Sequence, residues 1–138
     1  MYARKCLDIK ASDLLYGLLR CLNQTNRIEW VSKLQSKWSS SNDTLICYSV
    51  RTGFNLLLDS LNLPAGSEVL VSAITIPQMI DLLNSHQLVP VPIDIDMGSL
   101  AVKSEHLESS ITKKTRMILV AHIFGCRMDL TEVVNFAA

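Results

Sequence analysis

Residues 67–94 read SEVLVSAITIPQMIDLLNSHQLVPVPID, and the fold class turns on this stretch. Glu68 to Ser72 is an apolar run of strand length that includes β-branched Val69 and Val71. After a short break, Pro77 opens a helix to about His86, in the first turn where a missing N–H costs nothing. Leu88 to Ile93 then reads as another strand, in which Pro90 and Pro92 place it at a sheet edge or keep it short. Strand, helix and strand in so short a span form a βαβ unit, whose two strands run parallel.

The same alternation extends outward. Upstream, Thr44 to Tyr48 is expected as a strand, and Phe54, Leu57, Leu58 and Leu61 mark a helix stripe closed by Pro64 and Gly66. Downstream come a helix near Ser104 to Ile111 and a fourth strand from Arg116 to His122. Asp129 with Glu132 then suggests a capping box for a last helix. The class is α/β: a three-layer αβα arrangement around a mostly parallel sheet. Two helices precede it. Leu14, Leu15, Leu18, Leu19 and Leu22 recur at helical spacing over Ser12 to Leu22. A second stripe of Ile28, Val31, Leu34 and Trp38 follows an Asn26/Glu29 capping box. The expected division is a helical segment over 1–43 and an α/β segment over 44–138. The latter stops inside an apolar helix without a C-cap, which suggests a longer reading frame.

With 138 residues, 49% of them hydrophobic, the chain can bury a core. Thirteen basic residues balance thirteen acidic ones, and the densest basic cluster is Lys113-Lys114 with Arg116, so a nucleic-acid surface is not expected. No apolar run reaches membrane-spanning length, and the N-terminus lacks a signal-peptide pattern, so the default location is cytoplasmic. The cysteines, Cys6, Cys21, Cys47 and Cys126, have no zinc-type spacing; Cys21 and Cys47 are expected to be small buried hydrophobes. Trp30 and Trp38 are expected to pack.

Open parallel sheets bind ligands beyond the carboxyl ends of their strands. Ser49, Arg51 and Thr52 stand at such an end and open a helix, where free N–H groups and the dipole favour an anion and Arg51 adds a forked donor. The alternative is that Ser49 simply caps the helix, with Arg51 solvated or bound to a carboxylate. His122 ends the fourth strand, as an acid, base or stacking partner or as a local hydrogen-bonding group. Asp94 and Asp96 are either an acidic pair or turn residues. His86 and His106 carry no pattern. Neither nucleotide-binding glycine fingerprint occurs, and no metal site is expected.

Four segments taken in order resemble one family. They are Ser49 to Leu61; Pro64-Ala65-Gly66-Ser67-Glu68-Val69; Val89-Pro90-Val91-Pro92-Ile93-Asp94-Ile95-Asp96; and Ile111 to Gly125. Their order and spacing are similar to those of the DegT/StrS group of pyridoxal-phosphate (PLP) sugar aminotransferases, of aminotransferase fold type I. That resemblance, from about Thr44 to Ala138, implies the first part of a PLP-binding large domain. It also implies amino transfer from an amino acid to a keto sugar, in a homodimer. The Ser49 turn then becomes a phosphate site, with the family's Gly-Thr falling on Val50-Arg51 and Thr52 next in line. The ring-stacking aromatic falls on Ile76, near Gln78, and His122 joins the candidate cofactor contacts. The acid that pairs with the pyridine nitrogen and the Schiff-base lysine would both follow Ala138, since no lysine of this chain occupies the matching position. By that resemblance this chain alone has no catalytic residue and should not transaminate. Two other readings stand beside it: a PLP-family relative that serves binding or assembly, and an unrelated small α/β domain taking a phosphorylated ligand at Ser49 to Thr52.

Overall fold

A computed structural model describes residues 9–22, 26–39, 41, 43–123 and 127–137. Two compact units divide the chain, Met1–Ile46 and Cys47–Ala138. Cys6 and Cys126 lie outside the described residues.

The first unit holds α1 (Ala11–Cys21) and α2 (Arg27–Trp38). The Asp13 carboxylate accepts the Lys10 N–H at 2.9 Å and closes the start of α1. Asn26 caps α2 by accepting the Ile28 N–H at 3.1 Å. The reciprocal half of the expected box is missing, because Glu29 instead holds the Lys33 ammonium one turn on. Arg20 bridges the two helices: its guanidinium lies 5.2 Å from the Tyr16 ring and 5.9 Å from the Trp30 ring. The leucine stripe of α1 forms as spaced, yet Leu14, Leu15, Leu18, Leu19 and Leu22 are all exposed. Cys21 is exposed with them, against expectation, since nothing among the described residues covers that face. Trp38 is likewise exposed rather than packed.

The second unit runs α3 (Val50–Leu61), β1 (Glu68–Ser72), α4 (Pro77–Ser85), β2 (Val89–Ile93), α5 (Ser104–Ser110), β3 (Thr115–Leu119) and α6 (Thr131–Ala137). The sheet has three strands in the order β2-β1-β3, all parallel. Strand alternation sends Val69 and Val71 to one face, against Phe54, Leu58, Met79, Leu83 and Leu88 of the α3/α4 side. Leu70 goes to the other face, with Ile93, Ile95, Val102, Leu107, Ile123 and Val133 of the α5/α6 side. Helices therefore cover both faces of one sheet, the three-layer α/β class expected. Among the described residues no helix is long and apolar enough to cross a membrane.

Two strand expectations are corrected. Thr44 to Tyr48 is irregular, because no ladder partner meets it among the described residues. The fourth expected strand ends at Leu119, whose pairing with Val71 is the last rung on that side of β1, so His122 lies beyond the sheet. The box expected at Asp129 is also split. Asp129 accepts the Thr131 N–H at 2.9 Å, while Glu132 reaches across to the Ser104 N–H at 3.0 Å and caps α5 instead.

The edge expected from Pro90 and Pro92 is present, and its chemistry is specific. The Val89 N–H donates to Ser67 O at 2.9 Å and Ile93 O accepts from the Ala73 N–H at 2.8 Å, so the odd-numbered residues of β2 turn their backbone groups toward β1. The even-numbered residues turn theirs outward, and both are proline. The free edge of β2 therefore offers no outward N–H to another strand. Replacing both, Pro90→Val with Pro92→Val, restores two donors. The expected outcome is concentration-dependent self-association by light scattering at unchanged helical content; a strictly monodisperse double variant would refute the edge assignment.

Candidate functional site

The helix mouth at Ser49 is built by backbone conformation. Ser49 is extended (φ −152°, ψ 156°), so its side chain turns back over the first turn of α3. Its Oγ accepts the Thr52 N–H at 3.1 Å and lies 3.0 Å from Thr52 Oγ1, while its carbonyl accepts the Gly53 N–H at 3.1 Å. Ser49 is thus a helix cap. The N–H groups of Val50 and Arg51 keep no acceptor among the described residues. Arg51 is exposed and has no carboxylate or carbonyl partner there. Val50 is 78% exposed, with its branched side chain out in solvent. Two free N–H groups, a guanidinium and the Thr52 hydroxyl form a donor set that suits an oxyanion such as the phosphate of PLP.

The other candidate contacts lie past β1. Ser72 is buried and donates its hydroxyl to Ile74 O at 3.4 Å, turning the chain toward α4. Ile76 is the N-cap residue of α4 and is 51% exposed; Gln78, in the first turn, is exposed. Neither supplies a ring, so the apolar side of this site is aliphatic. A hollow of about 280 Å³ adjoins this turn, lined by Val71, Ser72, Ala73, Thr75, Ile80, Pro90 and Pro92. The structure carries Ser49 to Thr52 and Ile76 to Gln78 on two helices of one layer, since α3 and α4 share a core cluster. His122 lies past the end of β3. Its Nδ1 accepts the Met128 N–H at 3.3 Å, and Ile123 beside it is buried in the opposite layer.

Asp94 and Asp96 resolve as turn residues. Asp94 Oδ1 accepts the N–H of Ile95 at 2.9 Å, and its carbonyl accepts from His106 Nδ1 at 2.9 Å. Asp96 Oδ1 accepts the Ser99 hydroxyl at 2.7 Å and the Ser99 N–H at 2.9 Å, and Oδ2 lies 3.1 Å from Lys103 Nζ. Hydrogen bonding from Ser99 first, with Lys103 second, holds the Asp96 carboxyl far below the usual carboxylate range.

One link that sequence reasoning missed joins α3 to the end of α4. His86 Nε2 lies 3.0 Å from Asn55 Oδ1, Asn55 Nδ2 donates to Asp59 Oδ2 at 3.2 Å, and Asp59 Oδ1 lies 3.8 Å from His86 Nδ1. Asp59 and His86 of this cluster border a hollow of about 510 Å³, which lies where the chain enters β1 and β2. That is the amino end of the strands, away from Ser49 and Ile76. The only local signal was Asn55 and Asp59 one turn apart; the histidine stands 31 residues away from Asn55.

Comparison with known proteins now bears on this geometry. The model of the DegT/DnrJ/EryC1/StrS aminotransferase family matches residues 37–138. The chain belongs to that family. It is 24% identical over 123 residues to GDP-perosamine synthase of Escherichia coli O157:H7, covering 85% of this chain and 34% of that protein. Among solved structures it resembles a Streptococcus pneumoniae protein described as a sugar aminotransferase, in its PLP form. The TM-score is 0.76 at 20% identity, over 94% of this chain and 34% of the other. It also resembles a GDP-4-keto-6-deoxymannose-3-dehydratase with a trapped PLP-glutamate geminal diamine. There the TM-score is 0.72 at 18% identity, over 91% and 34%. PLP is the cofactor of these solved relatives, and the chain spans about a third of the length of the proteins it matches.

Two outcomes test the local chemistry. Ser49→Ala removes a cap and should lower stability by about 1 kcal/mol in urea unfolding, whereas Ser49→Asp should retain it. Because the folded Asp96 carboxyl titrates below its unfolded value, its contribution is fully present above about pH 4 and is lost as pH falls through the folded value. Asp96→Asn should therefore flatten the acid limb of stability below about pH 4 and leave its shape near neutrality unchanged.

Proposed function

We propose that this chain is the first part of the PLP-binding large domain of an aminotransferase that moves an amino group from an amino acid to a keto sugar. The single observation that carries the cofactor half of the reading is the unspent donor set at the mouth of α3. The N–H groups of Val50 and Arg51 and the Arg51 side chain belong to the first turn of α3, with Thr52 Oγ1 3.0 Å from Ser49 Oγ in the same turn, where the resemblance puts a phosphate. Family membership over residues 37–138 carries the reaction class. The sugar half draws on the relatives' own descriptions, GDP-perosamine synthase and a sugar aminotransferase.

In this reading Val50, Arg51 and Thr52 hold the phosphate, Ser49 keeps the helix mouth in shape, and Ile76 with Gln78 lines the pyridine side. PLP, when bound, supplies the electron sink through which an amino group changes hands. The lysine that carries it and the acid that faces its ring nitrogen belong to polypeptide beyond Ala138. The homodimeric state and a cytoplasmic location belong to the same proposal, as do the boundary at residue 44 and the partial character of the domain. His122, whose Nδ1 accepts the Met128 N–H, stays a candidate contact to the ring in the same reading.

A second reading rests on Ile76. An aliphatic wall in place of a stacking ring favours a relative that retains the fold and serves binding or assembly. The two readings separate in the protein expressed from its full reading frame. PLP should survive dialysis with its visible absorbance, and Arg51→Ala should weaken PLP binding about tenfold while leaving pyridoxal, which lacks the phosphate, unaffected. A folded protein that keeps no PLP would sink the cofactor reading. Retained PLP without amino transfer to any keto sugar would favour the binding role.

A further inference from the structure

The geometry points to a second oxyanion site, for a phosphoryl group, in the hollow framed by Pro64 to Ser67 on one side and Lys113, Lys114 and Arg116 on the other. This hollow measures about 270 Å³, the size of a small anion with part of its carrier and less than most drug-sized ligands need. It opens at the amino ends of β1 and β3, at the opposite end of the sheet from the turns that follow the strands.

Three cations line it, and among the described residues none of them has a carboxylate partner; the pairs Lys33–Glu29, Lys103–Asp96 and His86–Asp59 involve none of them. Like charges crowded in this way repel, and a dianion relieves the repulsion. The frame is also rigid. Arg116 Nη1 donates to the carbonyls of Lys113 and Thr115, each at 2.9 Å, which fixes the guanidinium and leaves its other donors open. Thr112 Oγ1 accepts the Lys114 N–H at 3.0 Å, Thr115 Oγ1 accepts the Thr112 N–H at 2.9 Å, and Lys114 O accepts the Glu68 N–H at 2.9 Å. The turn bearing the cations is thereby tied to the start of β1.

Glu68 is the acid adjoining this turn, and its carboxylate already accepts the hydroxyls of Thr112 and Thr115. On the facing loop Gly66 has φ +80° and no heavy atom within 4 Å of where a Cβ would stand, so that wall is bare. The N–H groups of Gly66 and Ser67 are spent on Gln87 O and Pro64 O at 2.8 and 3.0 Å. Side-chain charge, not a backbone cradle, does the holding. Such a site prefers a multiply charged group and weakens with salt.

The test is an amide NMR titration of the 138-residue chain with inorganic phosphate, pyrophosphate and a sugar phosphate at constant ionic strength. Amides of residues 65–67 and 112–116 should shift and saturate, independently of any response at 49–53, which reads the helix mouth. Lys113→Ala and Lys114→Ala should each weaken binding about two- to fivefold, and the Lys113→Glu/Lys114→Glu pair should abolish it. Lys37→Glu should change nothing. Tighter binding of the sugar phosphate would assign the site to a phosphorylated metabolite, and equal binding to the free anion. Shifts no larger than sodium chloride produces would overturn the site, as would affinity indifferent to the paired glutamates or saturation only by an oligonucleotide or acidic peptide.

Discussion

Double-sided burial of β1 is the constraint on which the second unit depends. Val69, Leu70 and Val71 are consecutive, and all three are removed from water. A strand puts successive side chains on opposite faces, so no single layer of helices could cover them. The α3/α4 layer takes the valines and the α5/α6 layer takes Leu70. The polar residues at either end of the strand are accommodated locally: Ser72 bonds its own turn, and Glu68 takes the hydroxyls of Thr112 and Thr115. No described buried side-chain polar atom is left without a partner.

The two edges of this sheet differ in what they offer a neighbour. On β2 the outward positions are prolines, which remove the donors a further strand would need. β3 contains no proline, and its Met117, Ile118 and Leu119 are only half-buried. The sheet is chemically closed on one side and receptive on the other, a polarity set by two residues in VPVPI. Helix ends show a related economy of donors: Glu132 of α6 caps α5, so the α5/α6 layer is tied by a hydrogen bond as well as by apolar contact.

What could be read in advance was what is local or periodic. The βαβ unit declared itself through apolar runs, Pro77 and the paired prolines, and Asn26 and Ser49 declared themselves as caps by type and place. The family resemblance rested on spacing between motifs, which survives where individual letters change. Thr44 to Tyr48 misled because an apolar β-rich run states a preference, while a strand requires a partner in register. Cys21 misled for a similar reason, since a helical stripe shows which face is apolar and says nothing about whether another surface meets it. The contacts of His86 with Asn55 and of Glu132 with Ser104 join residues far apart in the chain, where no periodicity could reveal them.

At the candidate site, capping and anion binding had stood as alternatives for Ser49, and the hydrogen bonds show why they are compatible. A helix start exposes several N–H donors, and one serine oxygen cannot satisfy them all. Ser49 takes the donor of Thr52 and, through its carbonyl, that of Gly53, which are the ones furthest into the helix. The donors of Val50 and Arg51, nearest the mouth, remain. The cap therefore orders the turn without using up its capacity for an oxyanion, and it does so with an exposed valine at the first helical position. Substitution there changes the shape of the approach; the backbone donors themselves do not depend on side-chain identity. Arg51 then acquires its significance from geometry: it follows Val50 on the same exposed turn, and it is the one full positive charge in the donor set.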